Sequence, residues 1–128
     1  MMTTTGTTRW KRLLGAACVT FAVGCAGPSY DRTEILDVSQ GDLPATVSLS
    51  LISLSVGAAT RAVIKPWNDD NKLMGVGVQS DNPELLDIAP GVGDHEFMFI
   101  ARKVGTTSAR FLADGDVVAI ARVEIRAQ

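Results

Sequence analysis

The sequence predicts an all-β chain folded as a sandwich of two sheets. Three observations carry this. Apolar and polar side chains alternate with a period of two from Val47 onward, turn-forming clusters punctuate the chain at regular intervals, and no helical 3.6-residue periodicity is visible after residue 33. At 128 residues there is room for one domain. A domain of this size buries roughly 60–70% of its unfolded surface, so neither a metal nor a disulfide is needed to hold it.

The first 25 residues follow a different logic. Met1 to Thr8 carries no charged side chain, then Arg9, Trp10, Lys11 and Arg12 form a basic cluster, and Leu13 to Val23 is an apolar run. Eleven residues in a helix fall well short of the ~20 needed to cross hydrocarbon, so the run reads as a cleavable signal helix rather than a lasting span. Ala22-Val23-Gly24-Cys25 resembles the lipobox of bacterial lipoproteins. The resemblance implies cleavage between Gly24 and Cys25 and lipidation of the Cys25 sulfur with diacylglycerol, with acyl chains such as palmitate. One acyl chain holds a protein only marginally at ~0.8 kcal/mol per buried methylene, whereas two or three make attachment lasting. Ala26 in place of an aspartate at the next position favours the outer membrane by the same resemblance. An ordinary secretory signal is the alternative reading.

Residues 25–45 read as a tether: Ala26-Gly27-Pro28-Ser29 is turn-prone, and Tyr30 to Gly41 mixes charge with Ile35, Leu36 and Val38, enough for a first edge strand. The domain proper is expected over 46–128. Val47, Leu49 and Leu51 alternate with Ser48 and Ser50, after which Ile52, Leu54 and Val56 become the apolar set. That one-residue slip predicts a single bulged strand serving both sheets, or else a fully buried one, with Ser48, Ser50, Ser53 and Ser55 on its outward face. Thr60 to Lys65 is a second strand, expected to stop at Pro66. Trp67 to Lys72 is a polar loop containing Asn68-Asp69-Asp70-Asn71, Leu73 to Gln79 a glycine-thinned strand, and Ser80-Asp81-Asn82-Pro83 a turn. Leu85 to Ile88 is a short strand, and Pro90 to Asp94 a loop. Glu96 to Val104 is the most apolar strand, linked through Gly105-Thr106-Thr107 to Ser108–Ala113. Asp114-Gly115 predicts a type I′ hairpin into the last strand, Asp116 to Ile125.

Gln79 to Ile88, then Ala101 to Ala109 with its Gly105-Thr106 step, then Val123-Glu124-Ile125 resemble the group 2 bacterial immunoglobulin-like domain; Leu54-Ser55-Val56-Gly57 mirrors that family's leucine-rich strand and Val-Gly turn. The resemblance spans roughly Val47 to Ile125. It implies an immunoglobulin-like β-sandwich of about seven strands, serving as an adhesive, spacer or accessory module of an exported protein.

Charge narrows the partners. Three of the twelve basic residues precede Cys25 and all fourteen acidic ones follow it, leaving nine against fourteen, a net −5. Nucleic-acid binding, which rests on Lys and Arg neutralising phosphates, is therefore not expected. The expected partners are the membrane, through the N-terminal lipid, and an envelope protein or glycan. Cys18 lies in the apolar run, so the mature chain has no cysteine pair.

Chemistry is sparse. His95, the one histidine, is flanked by Asp94 and Glu96, but neighbours along a strand point to opposite faces and converge poorly. No metal or other cofactor is expected; the weak calcium candidates are Asp69, Asp70, Asp114 and Asp116 with Asn71, whose spacing departs from an EF-hand. No G-x-S-x-G elbow accompanies the serines. Trp67, beside the acidic loop, is the candidate binding aromatic. The reading is a lipid-anchored, non-enzymatic envelope module; the alternative is a secreted or periplasmic glycan or small-ligand binder using Trp67 and the 90–96 loop.

Overall fold

The computed structural model describes residues 28–39, 41 and 43–128. The predicted signal helix, with Gly24 and Cys25, lies outside these residues. Nine strands follow in order: β1 (Tyr30–Ser39), β2 (Ala45–Val47), β3 (Leu51–Ser55), β4 (Ala59–Asn68), β5 (Val76–Ser80), β6 (Leu86–Pro90), β7 (Glu96–Ala101), β8 (Gly105–Ala113) and β9 (Asp116–Arg126). One sheet has the order β1-β4-β7-β6 and the other β2-β3-β9-β8-β5. If β1 is lettered A and β4 to β9 are lettered B to G, the first sheet reads A-B-E-D and the second, beyond the additional β2 and β3, G-F-C, the strand orders of an immunoglobulin constant-type sandwich. All pairs are antiparallel except β3 with β9. Between the sheets lie Ile52, Leu54, Ala62, Ile64, Leu86, Phe99, Phe111, Ala121, Val123 and Ile125, all buried. At about 1.5–3 kcal/mol for each large side chain, this layer is the main source of stability.

The chain changes sheet between Ser39 and Ala45, around Leu43-Pro44, and not by a slip inside one strand. Where a single bulged strand was expected over Val47–Val56, the structure has the β2–β3 hairpin. Ser48 closes the turn: its N–H donates to Leu51 O at 2.9 Å, and its hydroxyl also donates to Leu51 O and accepts from Leu51 N–H. A serine able to bond the backbone three residues on competes with strand extension, and here the turn wins. The serines expected on an outward face therefore divide. Ser48 and Ser50 belong to the turn, while Ser53 and Ser55, on β3 between β2 and β9, are buried despite pointing away from the core.

Pro66 does not stop its strand. β4 continues through Pro66 and Trp67 to Asn68, paired with β1 on one side and, at Trp67, bridged to Leu73 on the other. Ile64 N–H donates to His95 O and Pro66 O accepts from Met74 N–H, so the even-numbered backbone groups face away from β1. Pairing with β7 ends at Val63, so the amide hydrogen that proline lacks is not missed in that ladder, and Met74 O, which faces Pro66 across the short bridge, is met by His95 Nε2 instead. The Pro66 ring instead fills core space.

The later strands match their turn chemistry. Asp114 and Gly115 both have positive φ, 48° and 90°, the signature of the expected type I′ turn, and Ala113 pairs with Asp116 across it. β8 begins at Gly105, three residues ahead of expectation, and β7 ends at Ala101, three short. β7 is apolar on both faces: Phe99 is buried in the core, while Met98 and Ile100 are half-buried on the outside.

Candidate binding surface

On the outer face of the β1-β4-β7-β6 sheet, strand alternation turns Arg32, Glu34 and Leu36 of β1 and Arg61, Val63, Lys65 and Trp67 of β4 away from the core. Arg32 sits directly across from Trp67 in the ladder, which brings its guanidinium carbon to 5.6 Å from the ring centroid. A cation over an indole face contributes about 0.5–1 kcal/mol at such partly exposed sites. The same guanidinium donates to Asn71 Oδ1 at 2.8 Å and to Asp31 Oδ2 at 2.9 Å, so the stack is fixed from two further directions. Trp67 Nε1–H donates to Glu34 Oε1 at 2.8 Å. The candidate aromatic is thus half-buried and partnered, with its donor committed and Arg32 over the ring.

The loop at 90–96 folds back on Glu96. Gly91 N–H donates to Glu96 O at 2.7 Å, and Glu96 Oε2 lies 3.5 Å from Arg61 Nε. A Cβ at Gly91 would come within 2.6 Å of the Glu96 side chain, so glycine is what lets the loop close there. His95 adopts φ 65°, and its Nε2 is 2.9 Å from Met74 O. It ties the β6–β7 loop to the β4–β5 connection and faces neither Asp94 nor a serine hydroxyl.

The calcium candidates are not brought together. Asp69 caps the start of β1, its Oδ1 accepting from Ser29 N–H at 3.2 Å and its own N–H donating to Ser29 O at 2.8 Å. Asp114 Oδ1 accepts from Gly75 N–H at 2.7 Å. Among the described residues no three His, Cys, Asp or Glu side chains gather as a metal site would require. A depression of about 220 Å³ beside Gly41, Leu43 and Gly57–Ala59 falls below the roughly 300 Å³ at which ligand pockets begin. No helix of the described residues is long and apolar enough to cross a membrane.

What sequence reasoning missed is Arg32 and Glu34, the partners of Trp67, because the segment that carries them read as tether. The alternation Thr33-Ile35 marks a strand, but register shifts at Tyr30/Arg32 and Leu36/Ser39 interrupt it at both ends.

No family model matches the chain, and no curated protein matches it. Among solved structures it is similar to the surface layer protein SbsC. It matches domains 1–6 at TM-score 0.55 and 16% identity over 80% of this chain. Domains 4–9 match at TM-score 0.51 and 15% identity over 72%, and domains 4 and 5 at TM-score 0.50 and 15% identity over 71%. The chain spans 14%, 15% and 54% of those three chains, respectively. At such identities the likeness is one of fold.

Proposed function

We propose that this chain is a lipid-anchored, non-enzymatic immunoglobulin-like module of the bacterial cell envelope that presents its sheet faces to another envelope component. The observation that carries the reading is the pairing of a lipobox-like Ala22–Cys25 with a sandwich whose structural neighbours are domains of a surface layer protein. Support for a non-catalytic role comes from the side chains that could have done chemistry. His95, Asp69 and Asp114 are each bonded to backbone groups, where they hold loops in place.

The anchor also constrains the domain. Ser29 is already bonded to Asp69, so four residue steps separate the fixed part of the chain from Cys25, no more than about 14 Å. A lipid on Cys25 therefore holds the sandwich close to the bilayer, with the pole carrying Asp69, Asp70, Asp114 and Asp116 nearest to it. The test is phase partitioning of the full-length protein expressed in a bacterium. The wild type is expected in the detergent phase and Cys25→Ser in the aqueous phase; equal partitioning of the two would overturn the anchor.

A further inference from the structure

We propose that β5 is a self-complementary edge through which two copies of this chain join their five-stranded sheets antiparallel about Val78. The edge is bare where larger sandwiches are not: variable-type domains add further strands beside the strand that β5 corresponds to, and here β5 pairs only with β8.

The direction of its backbone groups follows from the bonds it makes. Gly75 and Asp114 bond each other reciprocally, the side chain of Asp114 included, and Asp81 N–H donates to Ser108 O. The odd-numbered residues therefore face β8, and the N–H and C=O groups of Val76, Val78 and Ser80 point out along the open edge. One residue earlier in this series, Met74 is covered: its N–H bonds Pro66 O and its carbonyl meets His95. The free edge is thus limited to β5 itself.

The other three edges are guarded in recognised ways and this one is not. β1 carries Asp31, Arg32, Glu34 and Asp37, the last at φ 51° beside a register shift. β6 carries Asp87 and ends in Pro90, and β2 is three residues long. β5 reads Val-Gly-Val-Gln-Ser, with no charge, no proline and no bulge.

The occupant follows from the register. Centred on Val78, an antiparallel pairing sets Val78 against its own copy and Val76 against Ser80 of the second copy, so every outward donor meets an outward acceptor. The β-branched Val78 pair is a favourable cross-strand contact. Each Gln79 lies opposite Gly77 of the other copy, where the missing side chain leaves the sheet thin beside Leu112. No like charges face each other across the strand. Beyond β8, exposed Val117 and Ile120 extend the apolar surface on the same outer face.

Cross-linking reads out this register directly. Gly77 and the opposed Gln79 would form a non-hydrogen-bonded pair with Cα atoms about 4.5 Å apart, within disulfide range. A Cβ at Gly77 meets only ordinary contacts, the nearest at 3.6 Å, so a cysteine fits there. Full-length chains with Cys18→Ser and Cys25→Ser, bearing either Gly77→Cys or Gln79→Cys, are oxidised separately and mixed, in mild detergent. The mixture is expected to form disulfide dimer at least about ten-fold faster than either variant alone. Adding Val78→Pro to both, which removes the outward N–H and leaves the β8 ladder intact, is expected to abolish the gain; where circular dichroism shows that variant unfolded, the mixing result decides by itself. Dimer formation no faster in the mixture than in the separate samples overturns the proposal, as does cross-linking that is fastest for Gln79→Cys alone.

Discussion

Arg32, Glu34 and Trp67 show how a side chain that looks available from sequence is spent on structure. The indole supplies one donor and one apolar face, and β1 arrives with a carboxylate for the first and a guanidinium for the second. Trp67→Phe keeps the stack but leaves Glu34 without its donor. A loss of about 0.5–1.5 kcal/mol in urea unfolding is expected, and a loss above about 3 kcal/mol would mean that the ring is a core residue. The acidic candidates behave alike. With Asp69 and Asp114 accepting backbone N–H bonds, millimolar calcium is expected to leave the melting temperature unchanged; a rise of several degrees would show a site that these bonds do not describe. The side-chain types were legible in the sequence and their partners were not, because each partner lies on a strand or turn distant along the chain.

At the level of elements, the legible features were those set by adjacent residues. Asp114-Gly115 needs only its own positive φ angles to specify a hairpin, and that turn formed as expected. Gly115→Val would force a β-branched residue to φ 90°. It is expected to cost about 1–3 kcal/mol, read as a lower midpoint in denaturant, whereas an unchanged midpoint would place no demand on that turn. Pro66 misled for the converse reason: whether a proline breaks a strand depends on whether a neighbouring strand needs its missing N–H, and here β7 has stopped pairing at Val63 while His95 meets Met74 O. The slip at Ser48–Ser50 was likewise open to two local readings, bulge or turn. Leu51 closed the question by offering both its N–H and its carbonyl to Ser48.

For the whole molecule, two sheets and a sandwich were readable from alternation and turns, while strand order was not. Order depends on pairings such as Leu54 with Ile125, which join chain positions 71 residues apart. That parallel β3–β9 contact brings the end of the chain back to its early strands. Phe99 and Phe111, fully buried on facing sheets, are the residues where the sandwich is most exposed to failure. Phe99→Ala is expected to lose about 3–5 kcal/mol, enough to leave much of the chain unfolded if total stability sits in the usual 5–15 kcal/mol range. A melting temperature within a few degrees of wild type would contradict the assigned core.

In the proposed function one sulfur joins this domain to a membrane, and the mature N-terminus is where that proposal is most exposed. Mass spectrometry of the protein purified from bacterial membranes should find a chain that begins at Cys25, heavier by a diacylglyceryl group and lacking residues 1–24. A mature chain with an unmodified Cys25, or one that still carries the Leu13 to Val23 segment, would contradict it.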